Sequence, residues 1–103
     1  MNSDNSIEET TVPVAMAGLT EGRIVHYVLP DGRSKGEHRP AIIVKVWDAH
    51  RAQGTVNMQV FTDGSNDYLG KGQDGTWCFS LWKTSVHYSE EPKPGTWHWI
   101  EKA

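Results

Sequence analysis

The feature that most constrains this chain is a missing period. No segment of ten or more residues repeats its apolar positions with helical spacing. Short β-branched and aromatic runs alternate instead with Gly- and Pro-rich punctuation. RIVHYVL (23–29) is followed by the turn residues Pro30, Asp31 and Gly32, and HRPAIIVKVW (38–47) is the most apolar run. Its Ile42, Ile43, Val44 and Val46 predict a strand covered on both faces, with Pro40 near its start, where a missing N–H does least harm. TVNMQVF (55–61) has period two, which sends Val56, Met58 and Val60 inward and Asn57, Gln59 and Phe61 to the other face. TWCFSLW (76–82) sets Trp77, Phe79 and Leu81 against Cys78, Ser80 and Trp82. TWHWI (96–100) is a last short strand, with Trp97 and Trp99 on one face and His98 on the other.

Five or six short strands without crossover helices predict an all-β fold, a small antiparallel SH3-like barrel with essentially no α-helix. A chain of 103 residues holds one such domain, 18–103. Residues 1–17 carry Asp4, Glu8 and Glu9 with no Lys or Arg, and they read as a disordered acidic tail. Met16, where the patterned sequence begins, is an alternative translation start.

Composition narrows the function classes. The formal charge is −3, all of it in the tail, and residues 23–51 hold six basic against three acidic side chains. That excess is too small for a protein that lives on duplex DNA, so no sequence-specific DNA binding is expected, but it suits one small anionic ligand. No apolar run approaches the ~20 residues of a membrane helix and no signal peptide opens the chain, which predicts a cytoplasmic protein with no membrane partner. The single Cys78 excludes an internal disulfide and a Cys-based zinc site.

Catalytic motifs are absent. GKGQDG (70–75) matches G-x-G-x-x-G, yet a strand-like run follows it where a dinucleotide site needs a helix. Asp63, Ser65 and Asp67 resemble a calcium loop but lack its Gly at the sixth position and Glu at the twelfth, so TDGSNDY reads as a turn rich in side-chain caps. Histidines at 26, 38, 50, 87 and 98 are spaced 12, 12, 37 and 11 residues apart, which fits no ligand pattern. His26, on the face alternate to Tyr27, reads as an exposed sheet histidine. Cys78 lies between two aromatics, Ser80 and Ser85 have no elbow motif, and Glu90-Glu91 sit in a solvated turn. Neither enzymatic activity, a metal nor a cofactor is expected.

Five tryptophans are more than a small core needs. Those left over, with Tyr68 or Tyr88, are suited to stacking on a base or lining an interface. The expected ligand-binding residues are Arg39, Trp47, Asn66, Asp67, Trp82 and Lys83: cations for phosphate, aromatics for stacking, Asn and Asp for polar edges. Surplus aromatic surface also predicts a homo-oligomer.

The blocks HYVLPDG, GEHRPAIIVKVW, VNMQVFTDGSND, LWKTSVHYSEE and PGTWHW resemble a family of short proteins of tailed phages and prophages with no established activity. The likeness runs from Gly22 to Trp99 and lapses over 68–80. It implies a phage accessory protein in the host cytoplasm, of the kind that inhibits host defence. Together with the aromatics and the modest basic excess, it implies a non-enzymatic sponge for a nucleotide-type signalling molecule. The alternative is an interaction module that docks on a host or phage protein through an aromatic groove, as SH3-like barrels do with extended peptides.

Overall fold

The computed structural model describes residues 16–67 and 79–101. Five strands, β1 (Ile24–Val28), β2 (His38–Val46), β3 (Val56–Phe61), β4 (Ser80–Val86) and β5 (Trp97–His98), form one antiparallel sheet. The spatial order is β4-β3-β2-β1-β5. The all-β antiparallel fold is therefore as the sequence pattern predicts. The helical content is a kinked 3-10 run over Asp48–Gln53 and a single turn, α1 (Gly64–Asp67).

The expected barrel does not close. β4 and β5 are the two edges, and among the described residues a single parallel bridge, Tyr88 with Trp97, joins the chain beyond β4 to β5. There the Trp97 N–H donates to the His87 carbonyl (3.1 Å) and the Ser89 N–H to the Trp97 carbonyl (3.0 Å). A strand of two residues has too few backbone groups to carry a ladder on both sides, so closure stops at that bridge.

The core lies on one face. Val25 and Tyr27 of β1, Ala41, Ile43 and Val46 of β2, Val56, Met58 and Val60 of β3, Val86 of β4 and Trp97 of β5 are all buried there. Two bulges keep this face apolar. Between Ile43 and Val46 on β2, and between Lys83 and Val86 on β4, three residues span what two residues span on β3. Val46 and Val86 thereby return to the inner side, where simple alternation would point them out. The Asn57 side chain fills the second irregularity, accepting the Ser85 N–H (2.9 Å) and the Trp47 Nε1–H (2.9 Å). This carries β4 on to Val86, four residues past the predicted end at 82; residues 76–78 of the predicted strand lie outside those described.

Residues before β1 help to close the core. Met16 and Leu19 are buried in it, so the domain begins at least two residues before the boundary expected at 18. The expected tail otherwise lies outside the described residues. Gly22 N–H donates to the Ile43 carbonyl (2.7 Å), Val46 N–H to Glu21 Oε2 (2.9 Å) and Arg51 Nη1 to the Leu19 carbonyl (2.9 Å). Gly54 ends the 3-10 run at φ 66°, and a Cβ there would stand 2.6 Å from Tyr88 Cβ and 2.9 Å from Met16 Sδ. Its carbonyl accepts the Trp97 indole N–H at 2.7 Å.

The other face of the sheet is open, which corrects the expectation that β2 is covered on both sides. Val44 is 47% exposed, and Ile24, Phe61 and Trp82 on neighbouring strands are comparably exposed. Ile24 pairs with Ile42, Ile42 with Gln59 and Gln59 with Trp82, a cross-strand row along this outer face.

Candidate metal centre

Strand pairing brings three distant histidines together on the outer face. His26 lies mid-β1 with its side chain opposite to Tyr27, and it pairs directly with His98 on β5. His38 opens β2 opposite Val28. The ring centroids are 5.8 Å apart for His26 and His98, 5.9 Å for His26 and His38, and 4.5 Å for His38 and His98. Glu101, three residues past His98, turns its carboxylate into the middle of the trio. It accepts from His26 Nδ1 (2.7 Å) and His98 Nε2 (2.5 Å) and lies 2.9 Å from His38 Nδ1.

Electrostatics follow from that placement. Partial burial pushes the Glu101 carboxyl up, but its own backbone N–H and the bonds from His26 and His98 outweigh this and hold it at about 2. The carboxylate is ionised and carries no proton, so the His26 and His98 nitrogens that bond it each hold one. Burial pushes the His98 imidazole down, against the pull of Glu101. His98 is almost fully buried and its Nδ1 has no partner among the described residues, where the polar contact of this ring is on the Glu101 side.

One donor atom from each of His26, His38, His98 and Glu101 lies within 4.8 Å of all the others. Tetrahedral zinc with ligands at about 2.0–2.1 Å needs donor atoms about 3.3 Å apart, so the more widely spaced donors must close in while the 2.5–2.9 Å contacts to the carboxylate lengthen. The carboxylate now stands among the three imidazoles and must retreat for an ion to enter. Glu101 is 46% exposed in its side chain and has room to do so. Three imidazoles and one carboxylate, with no thiolate, suit a divalent first-row transition ion and not calcium or magnesium, which prefer all-oxygen shells.

The spacing of the histidines along the chain predicts no such site. The signal that would have found it was alternation: His26 and His98 each fall on the face opposite a core aromatic. They become neighbours once the last strand pairs with the first, a pairing that linear spacing does not reveal.

The six expected ligand residues fall at three separate places. Arg39 and Asp67 form a bidentate pair, Nε to Oδ2 at 2.9 Å and Nη2 to Oδ1 at 2.5 Å, with Asp67 completely buried. Asp67 also accepts the Asp63 N–H (2.7 Å), while Asn66 donates to Asp63 Oδ2 (3.0 Å), so this segment is the capped turn predicted for it. Trp47 lies past the far end of β2, its indole bonded to Asn57 and the Lys45 ammonium 5.5 Å from its ring. Trp82 and Lys83 sit on edge strand β4, facing Gln59 and Met58 of β3. Arg39 touches the histidine cluster only indirectly, through its Nη1 bond to the His38 carbonyl (2.9 Å). Tyr68, Trp77 and Cys78 lie outside the described residues.

Fold and site together define a single-sheet antiparallel domain with a three-histidine, one-carboxylate cluster on its open face. No protein-family profile, curated protein or solved structure matches the chain. No helix among the described residues is long and apolar enough to cross a membrane.

Proposed function

We infer that this protein binds a divalent transition-metal ion, zinc fitting best, through His26, His38, His98 and Glu101. The observation that carries the reading is the convergence of four donor atoms within 4.8 Å, from three strands and the segment after the last. All three imidazoles already turn a ring nitrogen toward one carboxylate, Glu101, which is itself a ligand zinc accepts. The test is calorimetric titration of metal-free full-length protein with zinc, with the visible spectrum of the cobalt-substituted form as a second readout. One equivalent of zinc and intense tetrahedral cobalt bands are expected. A featureless titration and a weak octahedral spectrum would sink the reading.

A second reading, a protein-interaction module, is favoured by the exposed row that ends in Trp82 on the outer face. The nucleotide-sequestering reading ranks below both, because Arg39 is engaged by Asp67 and leaves Lys83 and Trp82 as its main support.

A further inference from the structure

The four donors are distributed in a way that ties two distant parts of the chain together. His26 and His38 belong to the β1–β2 hairpin, and His98 and Glu101 to the C-terminal segment. Between those parts the strand ladder is short: β5 meets β1 at two positions only, His26 with His98 and Tyr27 with Trp97. Flanking bonds add little to it, Val28 N–H to the Thr96 carbonyl (3.0 Å) and Gly95 N–H to the Val28 carbonyl (2.8 Å). Yet this segment delivers Trp97, the largest fully buried side chain among the described residues, with Tyr88 and Trp99 packed against it at 5.0 and 5.1 Å between ring centroids. The element with the fewest backbone pairs thus carries a central core residue.

We propose that metal occupancy of the His26–His38–His98–Glu101 cluster is the latch that holds β5, and with it Trp97, against the sheet. The inference rests on the metal reading above and adds a role to it. An ion bound by both halves must be released, or lose two of its ligands, whenever β5 lifts. Any opening that separates His98 and Glu101 from His26 and His38 is therefore suppressed by the factor 1 + [ion]/Kd. The site is also positioned for exchange. His26, His38 and Glu101 are 27%, 30% and 46% exposed in their side chains, so the ion can enter and leave without the core opening. Docking of the C-terminal strand then follows the free concentration of the ion.

Native-state amide hydrogen exchange on the full chain, with and without zinc, tests this, and calorimetry on the same samples reports binding independently. In the metal-free protein the Val28 and Gly95 amides, which bond between β1 and the β5 segment, should exchange faster than those of β3, which marks opening of β5 alone. At free zinc 100 times the Kd they should slow about 100-fold and approach the β3 rates. The variant Glu101→Gln should keep the fold and lose most of that slowing. If zinc binds but the Val28 and Gly95 amides do not slow, the latch is overturned and the metal site stands. If Val28 and Gly95 already exchange no faster than β3 without metal, β5 does not open separately, and the latch is likewise overturned. If calorimetry detects no zinc binding, the metal reading falls and takes the latch with it.

Discussion

His26 on β1 and His98 on β5 stand directly opposite one another across the sheet, and both give a ring N–H to the same carboxylate, Glu101. One oxygen takes His26 Nδ1 and the other takes His98 Nε2, so the carboxylate is shared by two neighbouring strands of the sheet. Its position explains why three imidazoles can stand within 4.5–5.9 Å of one another.

Replacing any one histidine of the cluster should weaken zinc binding at least tenfold, by an order of magnitude or two, because a tetrahedral ion that loses a protein ligand takes up water in its place. His26→Ala and His38→Ala, both half-exposed, should leave the urea midpoint of the metal-free protein nearly unchanged. Chelator competition measured beside urea unfolding separates the two effects. Wild-type zinc affinity in both variants would exclude these side chains from the site.

The Arg39–Asp67 pair should dominate the acid limb of stability. The Arg39 guanidinium, helped by the Asp63 N–H, holds the Asp67 carboxyl well below the usual carboxylate range. The unfolded chain therefore takes up this proton first. The stabilisation is complete above the unfolded value of about 4 and is lost as pH falls through that value toward the folded one. Urea midpoints at pH 7, 4 and 3 should fall steeply for the wild type and more gently for Asp67→Asn. At pH 7, Asp67→Ala should cost about 3 kcal/mol, since it removes the bidentate partner of a part-buried Arg39 and leaves it only Glu37 Oε1 at 3.2 Å and the His38 carbonyl.

Gly54→Ala should be among the most damaging single-methyl changes. The position combines φ 66° with a Cβ site only 2.6 Å from the Tyr88 side chain and 3.2 Å from the Trp97 ring. Backbone strain and overpacking together predict a loss of about 2–3 kcal/mol. A thermal midpoint within a degree of wild type would contradict this.

Tryptophan substitutions should split by face. Trp97→Ala empties a fully buried site and frees the Gly54 carbonyl, for a cost of about 3–5 kcal/mol. Trp82→Ser, on the open face, should change stability by no more than about 0.5 kcal/mol. Denaturant unfolding followed by far-ultraviolet circular dichroism reads both.

Period-two patterning made much of this fold legible. Val56, Met58 and Val60 face the core, as their alternation with Asn57, Gln59 and Phe61 requires, and Trp97 and His98 take opposite sides. The two bulges are not legible, because nothing in VKV (44–46) or TSV (84–86) marks where alternation slips by one residue. Closure was overestimated because the pattern gives strand number but not whether the last strand has backbone enough to pair twice. The site was hidden for a related reason. His26, His38 and His98 meet only through the β1–β5 register, and register is a property of the whole sheet, not of any local string. Arg39 and Asp67 were singled out for a ligand and instead hold each other; a buried carboxylate takes the nearest guanidinium.

The order β4-β3-β2-β1-β5 also has a consequence in time. Strands β1 to β4 pair with their sequence neighbours and can form as the chain is made, but β5 pairs with β1 after roughly seventy further residues have been added. At about 5–20 residues per second, β1 waits several seconds for the strand that brings Trp97. Through that interval Val25, Tyr27 and Met16 lack a core partner, so the protein is most vulnerable to sticking or cleavage before β5 has been made.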